Sequence, residues 1–200
     1  MKKILHIISS PRGEDSMSIK LGKAIISKIQ ETYPGATVHE HNLAKQQFPH
    51  LEEAHLVAFF TPAENRSAEN VEAIRHSNEA IAEIQDADII VIDVPFYNFG
   101  IPSTLKAWVD HIARAGVTFK YGANGPEGLI TGKKVYLAIA SGGIYSDGLM
   151  QGYDFAAPYL KSVLGFLGMT DVSIFRVEGA SIPVIQDTAL EKGIQSILID

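Results

Sequence analysis

Cysteine is absent from this 200-residue sequence, and so is any long apolar run. Without thiols the chain can form no disulfide, no thiolate zinc site and no cysteine nucleophile. No apolar stretch approaches the roughly 20 residues that a membrane-spanning helix needs. The apolar start, Ile4 to Ser9, is too short for a secretory signal, and polar residues 11–15 follow at once. We therefore expect a cytoplasmic protein with no membrane association.

An excess of positive charge is also missing. The 17 Lys and Arg residues are outnumbered by 23 Asp and Glu, which gives a net charge of −6, and the basic residues are scattered along the chain. A nucleic-acid-binding surface needs clustered basic groups, so no nucleic-acid partner is expected. The remaining composition, 46% hydrophobic and 20% charged, is typical of a globular protein. We predict one domain over residues 1–200.

Apolar β-rich segments alternate with helical ones. Continuous apolar runs at 4–9 and 88–94 are typical of strands buried on both faces. Further strands are predicted at about 37–43, 134–140 and 172–177, and helices at about 16–33, 54–60, 71–85, 103–113, 153–167 and 187–199. Residues 119–132, with four glycines and a proline, are interpreted as a loop excursion. This order predicts an α/β, flavodoxin-like, doubly wound five-stranded parallel sheet, order 2-1-3-4-5, with helices on both faces.

Three loops should meet at the ligand-binding edge of such a sheet, where the winding reverses between the first and third strands. We call residues 9–18 the first loop, 95–101 the second and 140–145 the third. The first loop offers hydroxyls at the predicted start of a helix, from Ser9, Ser10, Ser16 and Ser18. Hydroxyls and free N–H groups at a helix N-terminus bind phosphate, although these serines can also serve only as caps and turns.

Two nucleotide-binding patterns are missing, which narrows the predicted anion. No G-x-G-x-x-G follows the first strand. The glycine-rich segment 128–134 has one residue too few between its glycines, and no Ser or Thr after its lysine, for a P-loop. ATP and a dinucleotide of the Rossmann type are therefore disfavoured, and a monophosphate remains.

The other two loops suit a planar ring. The second loop begins with Pro95, Phe96, Tyr97, Asn98 and Phe99. Aromatic groups at this edge can stack against a ring, whereas packing beneath the next helix is the alternative. The third loop contains Ala140, Ser141, Gly142, Gly143 and Tyr145. Its glycines allow close backbone approach and positive φ, and a plain tight turn is the alternative. Together the three loops predict the phosphate, ring face and pyrimidine edge of FMN.

Other candidate residues are interpreted as structural. His39 and His41 should share one face of an edge strand, but a metal site would need more ligands, so we predict a solvated pair and no metal. His6 is predicted to be a hydrogen-bonded core residue. Ser10 lacks the G-x-S-x-G elbow and the partner histidine of a hydrolase nucleophile. Trp108 is compatible with both a core and a subunit interface.

Several segments resemble the FMN-dependent NADH-azoreductase family, which comprises flavodoxin-like NAD(P)H:quinone and azo reductases. One is Ser10-Pro11-Arg12-Gly13, with Ser16 and Ser18 at S-x-S spacing. Another is the run 95–102, which matches P-x-Y-N-F-x-I-P. Further matches lie at 114–119, 124–129, 131–134, 141–143, 158–160 and 164–168. The resemblance therefore extends over nearly the whole chain.

The resemblance implies a set of site residues. Those implied for the FMN phosphate are Ser10, Ser16, Met17 and Ser18. Those implied for the flavin ring are Pro95, Phe96, Tyr97, Asn98 and Phe99, and those for its pyrimidine end are Ala140, Ser141, Gly142, Gly143 and Tyr145. The resemblance also implies a homodimer with active sites at the subunit interface, and a substrate pocket that includes Phe60, Tyr121 and Phe166. Family members commonly have a residue such as Arg beside the third-loop serine, where this chain has Ala140, and the difference bears on substrate preference.

The activity that the resemblance implies is hydride transfer from NADH or NADPH to quinones and azo compounds, with reductive cleavage of the azo bond, by a ping-pong mechanism. The flavin carries the chemistry, so no catalytic side chain is expected. A non-catalytic flavodoxin-like electron carrier is the alternative, although segments 45–70 and 118–132 could build walls over the flavin that a carrier does not need. The choices of NADH or NADPH, and of quinone or azo compound, stay open.

Overall fold

Strands and helices alternate through residues 1–199, which the computed structural model describes. The strands are β1 (Lys3–Ile8), β2 (Thr37–Asn42), β3 (Ile89–Pro95), β4 (Phe119–Gly122), β5 (Gly125–Gly128), β6 (Lys134–Ala140) and β7 (Asp171–Val177). The α-helices are α1 (Met17–Thr32), α2 (Glu53–Phe60), α3 (Ala68–Ala73), α4 (Arg75–Asp86), α5 (Ser103–Ile112), α6 (Ala156–Phe166) and α7 (Gln186–Gln195). Short 3-10 turns occur at Gly13–Asp15, Ala63–Asn65 and Gly148–Tyr153.

Five strands form one parallel sheet in the order β2-β1-β3-β6-β7. Counting only the strands of this sheet, the order is the predicted 2-1-3-4-5. Because β1 lies between β2 and β3, the winding reverses beside β1. The register brings Ile8 opposite Asp93, and Pro95 opposite Ala140. The loops that follow β1, β3 and β6 therefore leave the sheet at one edge.

Alternate side chains of the central strands enter two separate clusters of buried residues. In β3, Ile90 and Ile92 pack in a cluster with α4, α5 and α6, whereas Ile89 and Val91 pack in another with α1 and α7. A strand that is buried on both faces has a continuous apolar sequence, and the sequence of β3 is of this kind. Trp108 is fully buried in the first cluster, so it is a core residue of the single chain.

Helix α1 has the N-cap residue and the buried face that its sequence predicts. Ser16 occupies the N-cap in an extended conformation, and its Oγ accepts the N–H of Ile19 at 3.5 Å. The side chains at helical spacing that face the sheet are fully buried, namely Leu21, Ile25 and Ile29. The N-terminus of α1 is thus anchored at the carboxyl edge of the sheet.

The structure corrects the sequence-based elements in four places. The helix predicted over 71–85 is two helices, α3 and α4, which meet at Ile74, where φ is −97° and ψ is 6°. Ile74 is buried, and its tertiary packing overrides the continuous helical pattern. The predicted loop 119–132 contains the antiparallel hairpin β4–β5, whose four-residue strands carry too little alternation to be recognised. Helix α6 begins three residues later than predicted, and α7 ends at Gln195.

The β4–β5 hairpin is fixed against the end of α6. A Cβ added at Gly128 would lie 2.1 Å from the backbone nitrogen of Gly168, so glycine is required for this approach. The N–H of Ile130 also donates to the carbonyl oxygen of Leu167 at 2.9 Å. The segment that contains β4 and β5 is therefore packed against the end of α6. Across residues 1–199, no α-helix combines the length and apolarity needed to cross a membrane.

Candidate functional site

The loops that follow β1, β3, β6 and β7 surround a cavity of about 320 Å³ at the carboxyl edge of the sheet. Nine of the predicted FMN-site residues line it, namely Ser16, Met17, Ser18, Pro95, Phe96, Tyr97, Ala140, Ser141 and Gly142. Because these residues come from three separate loops, the cavity exists only in the folded chain.

Hydroxyls and free N–H groups are gathered at one end of the cavity. Ser16 and Ser18 are buried, and their hydroxyl oxygens are hydrogen-bonded to each other at 3.0 Å. The N–H groups of Met17 and Ser18, in the first turn of α1, have no acceptor within residues 1–199. Free N–H groups, hydroxyls and the positive end of the helix dipole together suit a phosphate.

Two further residues of the first loop, Arg12 and Ser10, bear on this end of the cavity. Arg12 lines the cavity and adds a positive charge that the sequence reasoning did not select. Ser10 is buried, but its Oγ accepts the N–H of Arg12 at 3.4 Å, and Ser10 does not line the cavity. In the structure, the Ser10 hydroxyl therefore contacts the backbone of the first loop.

The second loop makes a tight turn with two left-handed residues. The N–H of Tyr97 donates to the carbonyl of Gly100 at 3.1 Å, and the N–H of Gly100 donates back at 3.0 Å. Between them, Asn98 has φ 49° and Phe99 has φ 69°. A bulky residue at positive φ is strained, and such strain concentrates at functional sites. Neither Gly142 nor Gly143 has positive φ, which corrects the expectation that this conformation would lie in the third loop.

Aromatic rings cluster beside this turn. The rings of Phe96 and Tyr145 have centroids 4.4 Å apart, and Phe99 lies 6.2 Å from Tyr145 and 5.4 Å from Tyr153. Tyr97 lines both the 320 Å³ cavity and a neighbouring one of about 650 Å³, which Asn98 also lines. Phe99, Gly143 and Tyr145 line neither cavity, although the rings of Phe99 and Tyr145 belong to the same aromatic cluster. The aromatic residues predicted to contact a planar ring are therefore gathered in one place.

The loop after β7 joins the site, and the sequence reasoning missed it. The N–H groups of Ala180 and Ser181 donate to the carbonyls of Ser141 and Gly142 at 3.2 and 3.0 Å. A Cβ at Gly142 would lie 2.7 Å from the Oγ of Ser181, so the two segments are in close contact. Both Ala180 and Ser181 line the cavity. The available signal was topological: β7 is the neighbour of β6, so its following loop must leave at the same edge.

The three residues predicted for the substrate pocket are not gathered with the cavity. Phe166 lies 4.5 Å from the ring of Phe119, which in turn lies 5.7 Å from the ring of Tyr121. Tyr121 is 75% exposed, and Phe60, on α2, is 77% exposed. None of the three lines the cavity between the loops.

A buried acid–imidazole pair lies beneath the first loop. Asp93 Oδ2 and His6 Nε2 are 2.8 Å apart, and both side chains are buried, which confirms His6 as a hydrogen-bonded core residue. Asp93 Oδ1 has no hydrogen-bond partner within the described chain. Burial raises the pKa of the Asp93 carboxyl to about 6, against the lowering effect of His6. The carbonyl of Asp93 accepts the hydroxyl of Ser9 at 2.6 Å, so the pair is joined to the first loop.

Asp93→Asn is expected to change how stability depends on pH. Because folding raises the pKa of Asp93 from 3.8 to about 6, the stability due to this group is fully present below pH 3.8 and is lost as the pH rises through 6. His6, Glu40 and Lys23, which face it, remain in the variant. Wild type should therefore lose roughly 2–3 kcal/mol of unfolding free energy between pH 4 and 7 that Asp93→Asn does not lose. The stability of the variant minus that of wild type should increase by this amount over the same range. Urea unfolding at both pH values measures this, and a pH-independent difference would contradict it.

His39 and His41 lie on one face of β2, as predicted, but they are not simply solvated. Both contact Glu83, His39 Nε2 at 3.1 Å and His41 Nδ1 at 2.8 Å, and His41 is buried. Within residues 1–199, no cluster of three or more metal-ligating side chains is arranged to hold a metal ion.

Comparison with known proteins agrees with this geometry. A family model described as "Flavodoxin-like fold" matches residues 2–198. An FMN-dependent NADH:quinone oxidoreductase of Herminiimonas arsenicoxydans is 52% identical over 181 residues, which are 90% of this chain and 89% of that relative.

Solved structures give the same result. An azoreductase from Bacillus anthracis str. Sterne superposes with a TM-score of 0.90 at 31% identity, over 98% of this chain and 96% of the other. An FMN-dependent NADH-azoreductase from Bacillus anthracis str. Ames Ancestor, solved in complex with FMN, superposes with a TM-score of 0.85 at 30% identity, over 98% and 97% of the two chains. The chain therefore belongs to the flavodoxin-like family of FMN-dependent NADH:quinone oxidoreductases and azoreductases.

Proposed function

We propose that the chain is a single FMN-binding domain over residues 1–200 that transfers hydride from NADH, or NADPH, to quinones and azo compounds by a ping-pong mechanism, in the cytoplasm. The observation that carries the proposal is the cavity that unites the start of α1, with its hydroxyls and free N–H groups, with aromatic side chains and the third loop. A doubly wound sheet with helices on both faces supports it, because two separate buried clusters flank the sheet.

The residues present fit FMN. The hydroxyls of Ser16 and Ser18, with the free N–H groups of Met17 and Ser18, would hold the phosphate. Phe96 and Tyr97 would contact the ring system. When bound, FMN would supply the capacity to accept hydride from the nicotinamide and pass it to an acceptor.

The protein contributes orientation and polarity to this reaction. The N–H groups of Gly142 and Gly143 have no acceptor among residues 1–199, so they are available to a polar ring edge. Preorganised amide donors stabilise negative charge that develops on such an edge. The half-exposed rings of Tyr97 and Phe99 offer apolar surface that excludes water around the reacting groups. Donor and acceptor would occupy the same place in turn, which is the basis of the ping-pong order.

We further propose a homodimer with active sites at the subunit interface. Large apolar side chains are exposed on one helix of the single chain, since Leu56, Val57 and Phe60 of α2 are between 44% and 77% exposed. A second copy would cover this surface and complete a substrate pocket from residues that one chain leaves apart, namely Phe60, Tyr121 and Phe166.

The test is direct. Protein loaded with FMN is expected to oxidise NADH when a quinone or an azo dye is the acceptor and no partner protein is present, as followed by NADH absorbance. The purified protein should also show the yellow absorbance of bound flavin. A protein that binds FMN but does not turn over would be an electron carrier, and that result would overturn the proposal.

A further inference from the structure

We propose that Glu178 is a positioning residue of the flavin site, which holds the ring of Tyr145 against Phe96 through the backbone of residues 145–146. The inference rests on the proposed function, because the position of Tyr145 matters to activity only if the site binds FMN. Glu178 follows β7 directly and does not line the cavity.

The carboxylate of Glu178 accepts three hydrogen bonds from two consecutive residues, Tyr145 and Ser146. Its Oε1 accepts the N–H of Tyr145 at 2.8 Å and the N–H of Ser146 at 2.9 Å, and its Oε2 accepts the hydroxyl of Ser146. Hydrogen bonds to an ionised acceptor are about twice as strong as neutral ones. One side chain therefore determines the backbone path at the point where Tyr145 leaves the loop.

Glu178 is itself held in place. Arg176 Nη1 lies 3.7 Å from Glu178 Oε1, and Arg176 Nη2 donates to Asp154 Oδ2 at 2.6 Å. The other oxygen of Asp154 accepts the N–H groups of Ala156 and Ala157, in the first turn of α6. The three charged side chains are between 8% and 18% exposed. The chain of contacts thus ties residues 145–146 to both β7 and α6.

The position of Tyr145 affects the proposed ring-binding region because its side chain contacts residues of that region. Its ring packs at 4.4 Å against Phe96, which lines the cavity, and at 6.2 Å against the strained residue Phe99. Its ring also lies close to Gly143, since a Cβ at Gly143 would be 3.1 Å from Tyr145 Cε2. If Tyr145 moves, the wall formed by Phe96 loses its support.

The rest of the third loop does not depend on Glu178. Ser141 donates its N–H to Val177, and its carbonyl accepts from Ala180. The carbonyl of Gly143 likewise accepts the N–H of Gly179. Loss of the Glu178 carboxylate should therefore release residues 145–146 while the sheet and residues 141–143 keep their bonds, so a positioning role is separable from a role in folding.

The experiment measures FMN binding by fluorescence quenching in FMN-free protein. Glu178→Ala and Tyr145→Leu are each expected to weaken FMN binding by about tenfold and to alter the visible circular dichroism of bound flavin. Because Glu178 acts through Tyr145, the double variant should bind within about twofold of Tyr145→Leu alone. Glu178→Gln, which keeps one acceptor oxygen for the two amides, should stay within about threefold of wild type. Glu191→Ala, an exposed carboxylate loss on α7, is the matched control and should change neither readout.

The outcomes are distinct. Additive effects in the double variant, or wild-type FMN affinity in Glu178→Ala, would overturn the inference while leaving the proposed function intact. A wild-type protein that binds no FMN would overturn the proposed function, and the inference with it. If Glu178→Ala does not fold, Glu178→Asp keeps the charge toward Arg176 and withdraws the oxygens by one methylene, and the same dependence on Tyr145 is expected of it.

Discussion

Replacing Ser16 and Ser18 together by alanine is expected to abolish stable retention of FMN. Both hydroxyls are buried beside the free N–H groups of the first turn of α1, where the phosphate would lie. A hydrogen bond to a charged group contributes about 1.5–3 kcal/mol, so the loss of two should weaken binding by about a hundredfold or more. Flavin content after gel filtration, and an FMN titration, measure the effect.

A matched control separates phosphate binding from helix capping. Ser16 is also the N-cap of α1, and loss of an N-cap costs about 1 kcal/mol of stability by itself. Ser67 caps α3, where its Oγ accepts the N–H of Asn70 at 3.3 Å. Ser67→Ala should therefore lower the melting temperature slightly while FMN binding stays at the wild-type value. Unchanged flavin content in the double variant would refute the phosphate role of the first loop.

Gly22→Ala is expected to destabilise the protein strongly. A Cβ at Gly22 would lie 1.8 Å from Asp93 Oδ1 and 2.8 Å from its Cγ. The Asp93 side chain is fully buried and bonded to His6, so it has no free direction in which to move. Overpacking of this kind costs about 3 kcal/mol, and α1 must shift away from the sheet to accommodate it. Because α1 carries Ser16 and Ser18, FMN binding should weaken as well.

Gly165→Ala, by contrast, is expected to increase the stability of the protein. Gly165 lies in α6, and a Cβ there would meet nothing within 4 Å. Alanine is favoured over glycine in a helix by up to about 1 kcal/mol, so this variant should be slightly more stable than wild type. Chemical unfolding of the two variants measures both effects. Equal stability of Gly22→Ala and wild type would show that α1 does not pack closely against Asp93.

Much of the candidate site could be predicted because its signals are local. A run of serines after a buried strand predicts an anion site, and the capping pattern correctly predicts Ser16 at the start of α1. The second loop is rich in aromatic residues and the third loop in glycine. Each follows an apolar segment that predicts a buried strand. Strand order then brings the three loops together, since parallel strands end at one edge.

Other parts of the site lay beyond prediction because their role comes from partners distant in sequence. Glu178 is one acidic residue among 23, and only the fold places it on the amides of residues 145–146. Asn98 and Phe99 adopt positive φ, although Phe99 is a residue that local propensity would keep out of that region. Ser181 meets Gly142 only because β7 pairs with β6.

The sequence by itself determined the elements and their order: continuous apolar runs specify buried strands, helical spacing specifies α1, and alternation of the two specifies a parallel sheet. It also predicted an anion site in the first loop. Only the tertiary structure decided that helical residues 68–86 break at Ile74, that 119–128 form a hairpin, and that Trp108 lies in the core. It alone brought Asp93 against Gly22, and Glu178 beneath Tyr145. The physical reason is that periodicity and capping act within a few residues, whereas burial and ion pairing depend on which distant segments the fold brings into contact.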